Sequence, residues 1–109
     1  MSMNPVSFKG IYKVTMPNVK TAKDEKEKAA YTDAAINTVV MGANMIVAPP
    51  RTDGKESVYF KIDDKNDAKF EQGFANILAD CNKNFNVDMA KKAYIQKVSE
   101  EEFNNAKEA

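Results

Sequence analysis

The chain contains no histidine and only one cysteine, Cys81, among its 109 residues. Histidine is the usual general base near neutral pH and the commonest metal ligand, so Ser-His and Cys-His nucleophile pairs within this chain are excluded. The usual zinc ligand sets, which need several cysteine or histidine side chains, are excluded as well. A single cysteine forms no disulfide within the chain, so the composition does not demand an oxidising compartment.

Glycine clusters and an excess of one charge are also missing. The four glycines are scattered and form neither a phosphate-binding loop nor a dinucleotide-binding pattern. Sixteen basic and sixteen acidic residues cancel, so no bulk field recruits nucleic acid or an anionic membrane. No segment approaches the roughly 18 apolar residues of a membrane span, and no secretory signal is evident at the N-terminus. We therefore expect a protein without membrane contact, located in the cytoplasm.

The strongest pattern in the chain is a helical apolar stripe in residues 67–81. With 43% apolar and 29% charged residues, the chain is expected to form one domain, residues 1–109, around a single core. Five side chains of the stripe recur at offsets that share one face of a 3.6-residue helix. They are Phe70, Phe74, Ile77, Leu78 and Cys81. This spacing predicts a helix packed on the core, with Cys81 as a small buried hydrophobic residue and not a nucleophile.

Alternating apolar residues predict strands on both sides of that helix. Just before it, Val58, Phe60 and Ile62 alternate with Tyr59 and Lys61, which is the period of a half-buried strand. Similar patterns predict three further strands, at residues 6–14, at residues 45–48 before a proline pair, and at residues 93–98.

Another helix is predicted between the first two strands, with Thr21 and Asp24 as candidate N-caps. Its apolar stripe has small side chains and is therefore expected to lie close against the sheet. The stripe consists of Ala29, Ile36, Val40 and Ala43. Further on, the capping-box spacing of Ser99 and Glu102 predicts a short C-terminal helix around Phe103.

The predicted order of elements is β-α-β-β-α-β followed by a short helix. With right-handed crossovers, this order predicts an α+β fold of the ferredoxin-like kind. That fold has a four-stranded antiparallel sheet with two helices on one face, here with a short C-terminal helix added. An α+β fold in which the terminal helix lies over the sheet fits nearly as well.

One group of oxygen-bearing side chains precedes the helix at residues 67–81. It consists of Asp63, Asp64, Asn66 and Asp67. The group lacks the ligand ladder and the glycine of an EF-hand, and such residues commonly cap helices. We therefore predict that Asp64, Asn66 or Asp67 caps the helix, and we predict no metal site and no cofactor.

The sheet face turned away from the two helices is expected to carry tyrosines interleaved with lysines. Aromatic anchors dominate the energetics of interfaces, so Ile11, Tyr59 and Tyr94 are predicted to contact a partner. The leading hypothesis is a small non-catalytic interaction module that binds a protein partner or itself through this face.

Two alternatives remain open. Single-stranded nucleic acid would stack its bases on the tyrosine rings, and its phosphates would pair with the lysines. The residues involved would be Lys9, Lys13, Tyr59, Lys61 and Tyr94. Residues 55–62 depart from the RNP1 pattern at its glycine and at its first aromatic position, and the zero net charge favours a protein partner. The second alternative is an enzyme with carboxylate-based acid–base chemistry, but no catalytic pair is identifiable in the sequence.

Overall fold

Three helices and one antiparallel sheet make up the computed structural model, which describes residues 10–54 and 56–108. In chain order the elements are β1 (Ile11–Thr15), α1 (Glu25–Ala43), β2 (Arg51–Thr52), β3 (Ser57–Lys61), α2 (Asp67–Phe85), β4 (Tyr94–Lys97), α3 (Glu100–Asn105) and β5 (Lys107–Glu108). The strands lie in the order β4-β1-β3-β2-β5. The predicted α+β class is confirmed, with five strands where four were predicted. The N-terminal part of the first predicted strand, residues 6–9, lies outside the described residues.

Helix α2 packs on the sheet through the predicted stripe. Phe70, Phe74, Leu78 and Cys81 are all buried, and the ring centroid of Phe70 lies 4.9 Å from that of Tyr12 in β1. The helix continues beyond the predicted end at residue 81 and reaches Phe85. It ends where Asn86 adopts a left-handed conformation with φ 55°, a common way to terminate a helix.

Helix α1 turns a different face to the sheet from the one predicted. Its buried residues are Glu27, Ala30, Tyr31, Ala34, Thr38 and Gly42. The predicted stripe is wrong, because Ile36 and Val40 are each 57% exposed. The close approach of the helix explains the difference, since a Cβ on Gly42 would lie 3.1 Å from the ring of Phe60. At this position a side chain as large as isoleucine or valine does not fit between the helix and Phe60.

The second predicted strand is also displaced along the chain. At residues 45–48 the structure has only an isolated bridge between Ile46 and Ile62, and the strand proper is β2, after the proline pair. Pro49 and Pro50 have no N–H to donate to a sheet ladder, so they interrupt the pairing with β3, which resumes at Arg51.

The C-terminal helix forms as its capping pattern predicts. The Ser99 side chain accepts a hydrogen bond from the Glu102 backbone N–H at 3.1 Å, and α3 follows. Strand β5 then pairs with β2 at the sheet edge. None of the helices in the described ranges is both long enough and apolar enough to cross a membrane.

Candidate functional site

The outer face of the sheet, opposite α1 and α2, is partly covered by α3. The predicted alternation is correct, since Tyr12, Val14 and Phe60 lie in the main core while Ile11 and Tyr59 point the other way. Phe103 of α3 packs on these two side chains, which are only 1% and 4% exposed. Ile11 and Tyr59 therefore present almost no surface to a partner while α3 is in place.

Polar contacts hold α3 against this face. The Arg51 guanidinium donates to the backbone carbonyls of Asn104 and Ala106 at 3.0 and 3.1 Å, and it lies 5.0 Å from the ring centroid of Phe103. Lys61 forms an ion pair with Glu100 at 3.1 Å. The charge of Lys61 is thus directed at α3 and away from any ligand on the sheet.

Tyr59 is tied to α3 by its hydroxyl as well as by its ring. The hydroxyl donates to Glu102 Oε2 at 3.2 Å. Burial raises the pKa of Tyr59 above its ordinary value, although the nearby Lys13 ammonium opposes the shift. The phenol is therefore held protonated as part of the contact between β3 and α3.

The part of the outer face that α3 leaves open is small. Tyr94, on the edge strand β4, is 52% exposed. Lys13 is half-buried, and its ammonium lies 5.8 Å from the ring centroid of Tyr59. Lys9 lies outside the described residues. Among the residues of the nucleic-acid alternative, the structure therefore leaves Tyr94 and Lys13 accessible but does not bring an exposed pair of tyrosines together.

A polar cluster ties β1, α2 and β4 together around the hydroxyl of Tyr12. This hydroxyl contacts Asp67 Oδ1 at 2.6 Å and also Glu71, and the Lys97 ammonium lies 3.3 and 3.5 Å from the same two carboxylates. Burial and then these carboxylates raise the pKa of Tyr12. Because the four groups satisfy one another, we interpret the cluster as a structural tie and not as an acid–base pair awaiting a substrate.

A second polar cluster lines a cleft of about 480 Å³ at the start of α1. The Asp24 side chain caps the helix by accepting from the Glu27 backbone N–H at 2.8 Å, as predicted for Asp24. The buried Glu27 carboxylate in turn accepts from the Lys23 backbone N–H at 2.9 Å, and this hydrogen bond is the main cause of its lowered pKa. Lys92 lies 4.0 Å from the same carboxylate. The arrangement resembles a capping box, except that Glu27 bonds the N–H of the residue before the N-cap, and it has a neighbouring cation.

Of Asp64, Asn66 and Asp67, the residues predicted to cap the helix, Asn66 takes the N-cap position of α2 but makes no side-chain cap hydrogen bond. Asp63, which was not predicted as a cap, accepts from the Lys65 backbone N–H at 3.1 Å and caps a short 3-10 turn. Within residues 10–54 and 56–108, no group of three cysteine or carboxylate side chains is placed to hold a metal ion.

Cys81 lies in the core, as predicted. Its thiol is fully buried and contacts the backbone carbonyl of Ala30 and the carboxylate of Asp33. Burial, with Asp33 second, raises the pKa of the Cys81 thiol to about 11. The thiol is therefore protonated near neutral pH and is not poised as a nucleophile.

The most unusual surface is on α1. Its solvent side carries Ile36, Val39, Val40 and Ala43, which we call the α1 apolar face. The first three are 57%, 50% and 57% exposed. Their spacing puts them on two adjacent turns, so they form one patch and not three scattered side chains. Val47, which follows the helix, is exposed too.

The sequence patterns did not lead to a prediction of this exposed apolar surface, although the sequence contains an indication of it. No charged residue occurs between Asp33 and Arg51, in a chain of which 29% is charged. A surface helix normally carries charged or polar residues on its solvent side. The second half of α1 instead has apolar residues on both sides, so only the structure shows which side is free.

Comparisons with known proteins add no information about the α1 apolar face. No protein-family model matches the chain, and the comparisons with curated proteins and with solved structures found no match either.

Proposed function

We propose that this protein is a small non-catalytic interaction module that binds a protein through the α1 apolar face. The observation that carries the proposal is the exposure of Ile36, Val39 and Val40 side by side on one helix, in a stretch (residues 34–50) without a charged residue. Single exposed hydrophobic residues are normal on protein surfaces, but contiguous apolar patches mark interaction sites. This moves the proposed surface from the outer sheet face, which α3 partly covers, to the opposite layer of the fold.

The free energy that binding gains by burying the α1 apolar face is moderate. Complete burial of a valine or isoleucine side chain is worth about 1.5–3 kcal/mol, so burying the exposed half of three such side chains gains about 2–4 kcal/mol. Association itself costs several kcal/mol in lost translational and rotational freedom. The face therefore supplies the apolar centre of an interface, and contacts around its rim complete it.

Nucleic-acid binding remains a prediction with less support. The stacking role falls to Tyr59, which is buried under α3, and Lys61 is engaged by Glu100. The enzyme alternative also remains a prediction. It gains no support from the Tyr12 cluster, because the groups of that cluster bond to one another. Neither has an observation that favours it over the interaction module.

Two finer proposals accompany the main one. We infer that the first four strands represent a ferredoxin-like arrangement, because their spatial order β4-β1-β3-β2 is the order that two right-handed crossovers produce, with β5 added at the edge. We also infer a cytoplasmic location, which is supported by the single, unpaired Cys81.

Photo-crosslinking from a genetically encoded benzophenone tests the proposal. The probe replaces Val40 in one variant and Ala75, an exposed residue of α2, in a matched control. We expect the Val40 probe to capture a protein, either a second copy or another chain, and the Ala75 probe to capture none. Absence of a product from Val40 in a variant whose circular dichroism is native would overturn the proposal, as would equal capture from both positions.

A further inference from the structure

We infer that the protein bound at the α1 apolar face is a second copy of this chain, with the two α1 helices antiparallel about a two-fold axis near Val40. The inference rests on the proposed function and names its partner. The inference has three supports: the charge along α1, the sizes of the side chains in the face, and the symmetry that a self-complementary patch allows.

The charge pattern of α1 favours a copy of itself over a charged partner. The exposed residues of the first half include Glu25, Lys26 and Lys28, whereas no charged residue follows Asp33 in the helix. A partner with charged groups at its centre would have to desolvate them against valine and isoleucine without any ion pair in return. A second α1 apolar face brings no charge to the centre of the contact.

The same pattern selects the antiparallel orientation. In a parallel pair, Lys28 of one helix would lie near Lys28 of the other, and like charges at short range destabilise a contact. In an antiparallel pair about this axis, the uncharged second halves overlap, and the charged first halves point away from the contact in opposite directions.

Side-chain sizes in the face fit this arrangement. With a two-fold axis between Val39 and Val40, Ile36 of one copy lies against Ala43 of the other. Large side chains then meet small ones, which is what ridges packing into grooves require. Ile36, Val40 and Ala43 stand at i, i+4 and i+7 and therefore lie on one face of the helix. A two-fold interface of this kind closes on itself, and it is the commonest form of homo-oligomer.

The contact is small, so the dimer is expected to be weak. Two turns of helix present less surface than the roughly 800 Å² per partner of a standard interface. The dimer should therefore form only as the protein concentration rises, and its population should be sensitive to one substitution at the centre of the face.

Sedimentation velocity tests the inference over concentrations from about 1 μM to about 1 mM, the range of weak complexes. The wild-type protein is expected to shift from monomer to dimer. Val40→Glu and Val40→Lys should each lose the dimer, because two like charges then meet at the axis. An equimolar mixture of the two variants should regain it, because the opposite charges meet across the axis. Ala75→Glu, the control on exposed α2 surface, should associate like the wild type.

The outcomes separate this inference from the proposed function. A wild-type monomer at every concentration, together with a crosslink from position 40 to a different protein, overturns the second copy and leaves the interaction module standing. A dimer that persists in Val40→Glu shows that copies meet elsewhere and also overturns the inference. If both single variants are monomeric and their mixture stays monomeric, the axis near Val40 is wrong. Circular dichroism of each variant establishes that it is folded.

Discussion

Gly42 of α1 packs so closely against Phe60 of β3 that a Cβ at this position would lie 3.1 Å from the aromatic ring. Ala30 and Ala34 are fully buried on the same side of the helix. At Gly42 the helix therefore lies close against the sheet, and the aliphatic residues of the α1 apolar face are left on the solvent side. The exposure of Ile36 and Val40 is a direct consequence of this close approach.

Gly42→Val tests the close approach. The two additional methyl groups and the Cβ have to displace the buried Phe60 ring, and overpacking of this kind costs about 1–3 kcal/mol in free energy of unfolding. Ala43→Val, at the neighbouring exposed position, is the control and should change stability by about 0.5 kcal/mol or less. Urea unfolding measures both. Equal effects at positions 42 and 43 would show that α1 is not seated through Gly42.

Phe103→Ala tests the cover over the outer sheet face. Phe103 is buried against Ile11 and Tyr59, so its truncation should cost about 3 kcal/mol and loosen α3. Since burial is the main cause of the raised pKa of Tyr59, that pKa should fall toward its ordinary value. Ultraviolet absorbance of the phenolates against pH measures the shift, with Asn104→Ala on the exposed side of α3 as the control. An unchanged Tyr59 titration would contradict the cover.

The sequence predicts the buried face of α2 correctly but not that of α1. The stripe of α2 was predicted from sequence because large apolar residues occupy one face and polar residues the other. In α1, Ile36 and Val40 suggest a core face, but Gly42 allows the helix to approach Phe60 of the sheet closely, and hydrophobicity alone does not rank these two faces. The packing of Phe103 on Tyr59 is a contact between residues distant in sequence, which no local pattern encodes.

The Tyr12 cluster predicts how stability depends on alkaline pH. The folded pKa of Tyr12 is raised, so above about pH 10, the ordinary phenol value, the unfolded chain loses this proton while the folded chain keeps it. The unfolded state then binds fewer protons, and the free energy of unfolding falls as pH rises. Tyr12→Phe should weaken that fall, which urea unfolding between about pH 8 and 11 measures.

Tyr94→Phe is the matched control for this pH dependence, because Tyr94 is exposed and has no place in the Tyr12 cluster. The fall should not vanish in Tyr12→Phe, since the pKa values of Tyr31 and Tyr59 are also raised, mainly by burial. Identical pH slopes in Tyr12→Phe and the wild type would contradict the proposed tie between β1 and α2.

Thiol labelling tests most directly the central claim that α1 exposes its aliphatic face and uses it for binding. The native Cys81 is a silent background, because it is fully buried and its thiol pKa is raised to about 11. A maleimide is reacted at neutral pH with Val40→Cys, with Ala34→Cys on the buried side of α1, and with Ala75→Cys on exposed α2 surface. The labelling rate of each variant is measured at low and at high protein concentration.

We predict that Val40→Cys and Ala75→Cys react rapidly in dilute solution, whereas Ala34→Cys stays as unreactive as Cys81. On raising the concentration, the rate at position 40 should fall while the rate at position 75 stays constant, because only the α1 apolar face becomes covered. Rapid labelling of Ala34→Cys with protection of Val40→Cys in dilute solution would show that α1 faces the other way. A rate at position 40 that is independent of concentration would contradict its coverage by a second copy.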